Sequence, residues 1–260
     1  MLGGMPYDTS FLSGDPLAPP RARDGADVLL DYTHFTLSMH TGRRLARWVA
    51  WNIDGTRLFP EIPREDDFHP DDRIPLEQQT TEEVYAGNDL DRGHIARRAD
   101  LLWGDYEEAK RANRDSFCFT NIAPQMNTFN QAGRGGVWGE LENGVLDLDG
   151  LADRRVTVFG GPVLAADDPP YRGLVLLPRE YWKVVAYVVD GVVRHRAFLL
   201  TQSLDGLTVG FLAEFETYQL PLGELSSRTG LDFPGLAGSA EERRGAVRPI
   251  PVRSLADVHW

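Results

Sequence analysis

Cysteine, lysine and long apolar runs are all scarce in this chain of 260 residues. The one cysteine, Cys118, cannot close an internal disulfide, so no disulfide framework shapes the fold. Its neighbours in Ser116-Phe117-Cys118-Phe119 predict a small buried side chain rather than a reactive thiol. No apolar run approaches the roughly 20 residues that span a bilayer, which excludes a transmembrane helix. The opening Met1-Leu2-Gly3-Gly4-Met5-Pro6-Tyr7-Asp8 lacks the basic start and apolar stretch of a secretory signal. The expectation is a cytoplasmic location, with export by a route the sequence does not show as the alternative. Only Lys110 and Lys183 are lysines, so 25 of the 27 cations are arginines. Arginine suits bidentate phosphate contacts, although codon bias gives the same ratio.

What is present argues for a folded body. The 42% hydrophobic and 10% aromatic content is too high for disorder, and the length fits one large domain with ample core. The net charge of −12 opposes long-range attraction of a polyanion. That charge is concentrated, however. Residues 61–89 hold ten acids against Arg64 and Arg73, a local charge of −8, which leaves only −4 for the rest of the chain.

Residues 1–27, rich in Pro, Gly and Asp, read as an irregular leader. Residues 28–39 and 45–53 read as a strand pair around Thr41-Gly42. His34 and His40 share parity on the first of these; a metal pair is conceivable there, and ordinary strand histidines are the commoner case. Residues 54–90, with Pro60, Pro63, Pro70 and Pro75, show no sustained period and read as a long loop of the kind that often carries function. Helical spacing of Tyr106, Ala109 and Ala112 predicts a helix over 105–113, and 116–122 reads as a short buried strand. Residues 155–159, 173–177, 182–189 and 192–201 alternate with turn residues, as an antiparallel sheet requires. A helix is expected over 220–229 with Gly230 as its stop. The tail, 237–260, is polar apart from 247–252, a candidate edge strand. One α+β domain over 28–236 is the simplest organisation.

The chemistry concentrates in Asp91-Arg92-Gly93-His94, then Asn121-Ile122-Ala123-Pro124-Gln125, Asn130, and Trp138-Gly139-Glu140-Leu141-Glu142. Within about fifty residues these supply a base, cations, an amide oxygen and carboxylates, the parts of metal-assisted phosphodiester hydrolysis. A neutral imidazole at His94 accepts a proton from water near physiological pH. Arg92 carries fixed N–H donors for charge developing on phosphate oxygens. Gly93 permits a tight backbone or a close phosphate approach. A hard divalent ion needs few protein oxygens because it keeps its waters. With no Cys/His cluster, a structural zinc site is not expected.

These segments together resemble the DNA/RNA non-specific endonuclease family, the ββα-metal nucleases. The resemblance rests on Asp91 to His94, Asn121 to Gln125, Asn130-Gln131, Trp138 and Leu141-Glu142, and extends over about two thirds of the chain. It implies an α+β, ββα-metal (His-Me finger) nuclease fold with a central antiparallel sheet flanked by helices. It implies His94 as general base, Asn130 as the direct Mg²⁺ ligand with Mn²⁺ as a possible substitute, and Arg92 on the transition state. Glu142 would hold metal-bound water, with Glu140 as the alternative, and Asn121 and Asp91 would support the site. Arg64 resembles an upstream phosphate-contacting arginine. Arg97, Arg98 and Arg134 are candidate phosphate contacts, in place of a later arginine that this chain lacks. The implied substrates are DNA and RNA, and the implied products are 5′-phosphorylated. Several relatives are homodimers, so a homodimer is expected. Two alternatives stand beside this reading: a nuclease effector held silent by a regulatory partner or inhibitor, and a nucleic-acid-binding relative without turnover.

Overall fold

The computed structural model describes residues 5–25, 27–126, 155–202, 204, 216–236, 249–252 and 257–258. At its centre stands an eight-stranded antiparallel sheet. Its strands are β2 (Val28–Tyr32), β3 (Phe35–His40), β4 (Leu45–Asp54), β7 (Arg155–Pro162), β10 (Glu180–Val189), β11 (Val192–Thr201), β12 (Glu216–Leu220) and β14 (Ile250–Val252). They lie in the order β14-β12-β11-β10-β7-β4-β3-β2, so β14 is an edge strand. Short pairs stand apart from it: β1 (Arg21–Ala22) with β13 (Leu231–Asp232), β8 (Pro170–Tyr171) with β9 (Val175–Leu176), and β5 (Leu90–His94) with β6 (Ile122–Met126).

The central strands are buried on both faces, which is why β4 reads as an almost continuous apolar run. Strand alternation divides its side chains between two cores. Val49, Trp51 and Ile53 join one, and Trp48 and Ala50 the other. Trp51 and Trp182 are fully buried on opposite faces. Burial of an apolar side chain of this size stabilises by about 1.5–3 kcal/mol.

The first face packs against α1 (Glu82–Tyr85), α2 (Arg98–Leu101), α3 (Tyr106–Ser116) and the β5–β6 ribbon. Asp105 and Glu108 close a capping box that starts α3, and its buried Ala109, Ala112, Asn113 and Ser116 are small enough for close packing. The second face packs against α4 (Leu222–Thr229), which buries Leu222 and Leu225 and ends where Gly230 turns left-handed at φ 68°. Tyr7, Phe11, Leu12 and Leu17 of the leader are buried on this same face. The segment before β2 therefore supplies core side chains despite its little regular structure.

Two local expectations are corrected. Residues 28–39 do not form one strand, because His34 adopts φ 70° and turns β2 back along β3. His34 therefore leaves the strand face it would share with His40. Its Nδ1 lies 2.8 Å from the Leu101 carbonyl oxygen, its Nε2 3.2 Å from Glu108, and its ring stacks on Trp103. Residues 116–122 are not a strand either. Ser116 ends α3, and Phe119–Asn121 form a 3₁₀ turn that leads into β6. Burial there, Cys118 included, comes from packing against the sheet rather than from pairing with it. No helix among the described residues is long and apolar enough to cross a membrane.

Candidate active site

The Asp91-Arg92-Gly93-His94 stretch lies in β5, with Arg92 opposite Pro124 and His94 opposite Ile122 of β6. Strand alternation puts the Arg92 and His94 side chains on one side of the ribbon and Gly93 on the other. Gly93 is required by close approach rather than by a turn. A Cβ there would stand 2.2 Å from the Gln125 side chain, so any larger residue would expel that buried amide.

Asn121 continues the ribbon beyond His94. Its backbone carbonyl accepts from Ile95 N at 2.9 Å, and its Oδ1 accepts from Ala96 N at 2.9 Å. Its Nδ2 donates to the carbonyls of Ala96 and Ser116, both at 3.0 Å. One fully buried amide thus satisfies backbone groups on either side and ties the chain after His94 to the end of α3. The other strand is held from the sheet. Tyr181 Oη donates to the Pro124 carbonyl at 2.6 Å, and Met126 N donates to Gln202 Oε1 at 3.0 Å.

His94 is half-buried, and its Nε2 is buried without a hydrogen-bond partner among the described residues. The ring meets Phe117 edge-on at 5.1 Å and Phe68 at 5.8 Å between centroids. Arg92 lies over Phe68 at 5.3 Å and over Tyr85 at 5.7 Å, while Arg64 lies over Phe117 at 5.3 Å. Two phenyl rings, themselves packed at 5.1 Å, therefore bring His94, Arg92 and Arg64 together. Burial, then the nearby Arg64 and Arg98 guanidiniums, push the His94 pKa down to about 3. The imidazole is accordingly neutral at physiological pH, in the form that accepts a proton.

Both arginines already face carboxylates. Arg92 donates through Nε and Nη2 to the two oxygens of Glu82, and Arg64 donates through Nε to Asp66 at 2.5 Å. These acids belong to the acidic segment, but not all of that segment faces the site. Asp71 is buried and takes hydrogen bonds from Tyr32 and Arg73. Burial opposes its ionisation, and those hydrogen bonds outweigh burial and hold its carboxyl below the usual range.

Among the other candidates, Asp91 stands opposite Gln125 in the ribbon and Arg97 precedes α2. Arg98 donates to Asn113 of α3 and to the Ile62 carbonyl, fastening the loop to the helix. Asn130, Arg134, Glu140 and Glu142 lie outside the described residues. Among the described residues no three His, Cys, Asp or Glu side chains gather to hold a metal ion. A hard cation held by one amide oxygen and waters does not require such a cluster. The buried Nε2 of His94, without a hydrogen-bond partner among the described residues, fits a site that activates water beside such an ion. Phe68, Phe117, Glu82 and Gln125 also build the site, and the sequence pattern alone gives none of them a role there. The Gly93-to-Gln125 pairing was the one signal available, since a glycine amid a strand marks close approach.

Comparisons with known proteins agree with this geometry. The model of the DNA/RNA non-specific endonuclease family matches residues 13–237. The protein y4fB of Sinorhizobium fredii is 33% identical over 93% of this chain, which spans 39% of that relative's length. A nuclease of Nostoc is 26% identical over 86% of this chain and 79% of its own length. Human mitochondrial endonuclease G is 26% identical over 81% of this chain and 70% of its own. A solved complex of EndoG with EndoGI superposes with a TM-score of 0.63, at 20% identity, over 80% of this chain and 86% of the matched one. The sheet, the ribbon and the family match converge, and the chain belongs to the DNA/RNA non-specific endonuclease family, with its α+β nuclease fold.

Proposed function

We propose that this protein is a metal-dependent nuclease that hydrolyses phosphodiester bonds of DNA and RNA, with His94 as general base. The observation that carries the reading is the neutral His94 imidazole, with a buried and unpartnered Nε2, set on the same aromatic rings as two arginines. His94 Nε2 takes a proton from water as the water oxygen attacks phosphorus. The bond from phosphorus to the 3′ oxygen breaks and that oxygen takes a proton from solvent water, which leaves a 5′-phosphate on one product and a 3′-hydroxyl on the other, and His94 returns its proton to solvent. Arg92 and Arg64 donate to oxygens that gain charge as the phosphorus becomes five-coordinate. Asn130 would hold the divalent ion, and Glu142 or Glu140 its waters. When bound, such an ion, Mg²⁺ or Mn²⁺, supplies Lewis-acid stabilisation of the developing negative charge. Asn121 and Asp91 act through the ribbon rather than on the substrate.

The test is cleavage of plasmid and of RNA by purified protein, with Mg²⁺ or with EDTA. Mg²⁺-dependent cleavage that His94→Ala lowers by about 10²- to 10⁴-fold is expected. Cleavage that ignores either change contradicts the reading.

A second reading has specific support. Both arginines are paired with the chain's own carboxylates, and the solved relative is an EndoG/EndoGI complex in which EndoG is inhibited. A nuclease held silent by an inhibitor or partner fits these observations. Silence of the isolated chain, relieved by proteolysis or by a partner, would favour it over constitutive activity.

A further inference from the structure

Phe68 belongs to the acidic segment, yet its half-buried ring touches both functional side chains of β5. Arg92 and His94 are two residues apart on one side of a strand, so a gap of roughly 7 Å separates them along the backbone. The Phe68 ring meets both, at 5.3 Å from the Arg92 guanidinium carbon and 5.8 Å from the His94 ring. Glu82 grips the edge of the same guanidinium through Nε and Nη2, and Tyr85 lies within 5.7 Å of it.

The ring is itself fixed. His69 N donates to the Phe117 carbonyl at 3.3 Å, and Phe119 N donates to the His69 carbonyl at 2.8 Å, so the chain at Phe68 is stitched to residues 117–119. Its ring packs edge-on against Phe117 at 5.1 Å and tilted against Phe119 at 6.1 Å. Asp66, at φ 52°, makes the turn that delivers it, and its carbonyl accepts from Phe68 N at 3.2 Å. A strongly acidic loop thus spends a left-handed residue and a backbone clasp on an aromatic ring at the site.

We propose that Phe68 is a positioning residue that fixes His94 and Arg92 relative to one another, and so sets turnover without touching the phosphodiester. Misplacement of reacting groups by about 1 Å costs on the order of 10²-fold in rate. A flat ring holds a guanidinium face and an imidazole at once, whereas a leucine fills similar volume and offers no π face. This proposal rests on the nuclease reading of the site, and its test separates the two.

Phe68→Leu and Phe68→Tyr are compared with the parent by steady-state cleavage and by NMR of ¹³C-labelled histidine, the His94 signal being identified by its absence from His94→Gln. Phe68→Leu should lower kcat about 10- to 100-fold with KM changed less than about threefold. It should also move the His94 ring resonance, as ring currents are lost, while leaving the melting curve cooperative. Phe68→Tyr should restore both. An active parent whose Phe68→Leu variant keeps its kcat, or loses only KM, or is not rescued by tyrosine, overturns the positioning role. An unmoved His94 resonance in Phe68→Leu overturns it as well, whatever the activity. A parent that cleaves nothing, with a His94 resonance that still shifts in Phe68→Leu, overturns the nuclease reading and leaves the contact standing.

Discussion

The two faces of the central sheet are covered by different kinds of material. On the second face the leader and α4 seat mainly apolar side chains, among them Phe11, Leu17, Leu222 and Leu225, on Trp48, Trp182 and Leu199. On the first face the β5–β6 ribbon depends on buried polar groups as well, including Asn121, Gln125, Asn113, Thr120, Gln79 and Asp71. The difference is physical. Apolar packing stabilises without fixing direction, whereas an amide such as Asn121 or a phenol such as Tyr181 is satisfied in one geometry only. Both faces bury a large apolar core, and the face that carries the candidate site adds a denser set of directional bonds around the β5–β6 ribbon.

The sharpest test of that contrast pairs His94→Ala with Leu225→Ala. The first should lower cleavage by the 10²- to 10⁴-fold given above and leave the melting temperature within a few degrees, because Nε2 has no hydrogen-bond partner among the described residues. The second should cost about 2–5 kcal/mol of stability in urea titration, since Leu225 is fully buried, yet leave kcat of the folded enzyme unchanged. Loss of kcat in folded Leu225→Ala would break the division between faces.

Asn121→Ala is the intermediate case, because it should change both quantities. It leaves Ala96 N and the carbonyls of Ala96 and Ser116 short of a buried partner, at about 1–3 kcal/mol for each group left unsatisfied. It also frees the chain just after His94, so kcat measured well below the melting temperature should fall too. Stability lost without any change in kcat would make the ribbon's polar anchors structural only.

Glu82→Gln should have the smallest effect. Its side chain is 57% exposed, and exposed ion pairs contribute about 0.2–1 kcal/mol. Removing that charge leaves the Arg92 cation uncompensated, so KM at low salt should fall less than about fivefold. The plot of log affinity against log salt should steepen by up to about one unit. An unchanged salt slope would mean that the Glu82 carboxylate does not contend with phosphate for Arg92. Asp71 is a poor probe of the same idea, because its carboxylate is committed to Tyr32 and Arg73 inside the fold.

Much of this was legible in the chain itself. The fourfold stretch Asp91 to His94, the strands of the sheet, the α3 start at Asp105 and the Gly230 stop all follow from local pattern. Two kinds of feature were not. One is backbone geometry without a local marker: nothing in Thr33-His34 announces a left-handed residue, since that conformation is supported by Leu101, Trp103 and Glu108 from far along the chain. The other is contact between segments distant in sequence. The acidic stretch reads as a single block of charge, but folding buries Asp71, sets Asp66 and Glu82 on the two arginines and turns Phe68 onto His94. The bonds from Arg98 to Asn113 and to the Ile62 carbonyl are likewise contacts that no local pattern announces.

The account turns on an unprotonated His94. Its folded pKa lies near 3, below the unperturbed 6.5, so the unfolded chain takes up this proton first as pH falls. The stability that His94 contributes is therefore present above about pH 6.5 and lost as pH falls towards 3. Activity follows the folded value instead. The most direct measurement is kcat/KM for plasmid cleavage from pH 8 down to pH 4.5, with the folded fraction followed by circular dichroism at each point. The predicted result is a value, per folded molecule, with no one-proton fall near pH 6.5 that His94 could cause. A single-proton loss of activity centred near pH 6.5 in fully folded protein would contradict it.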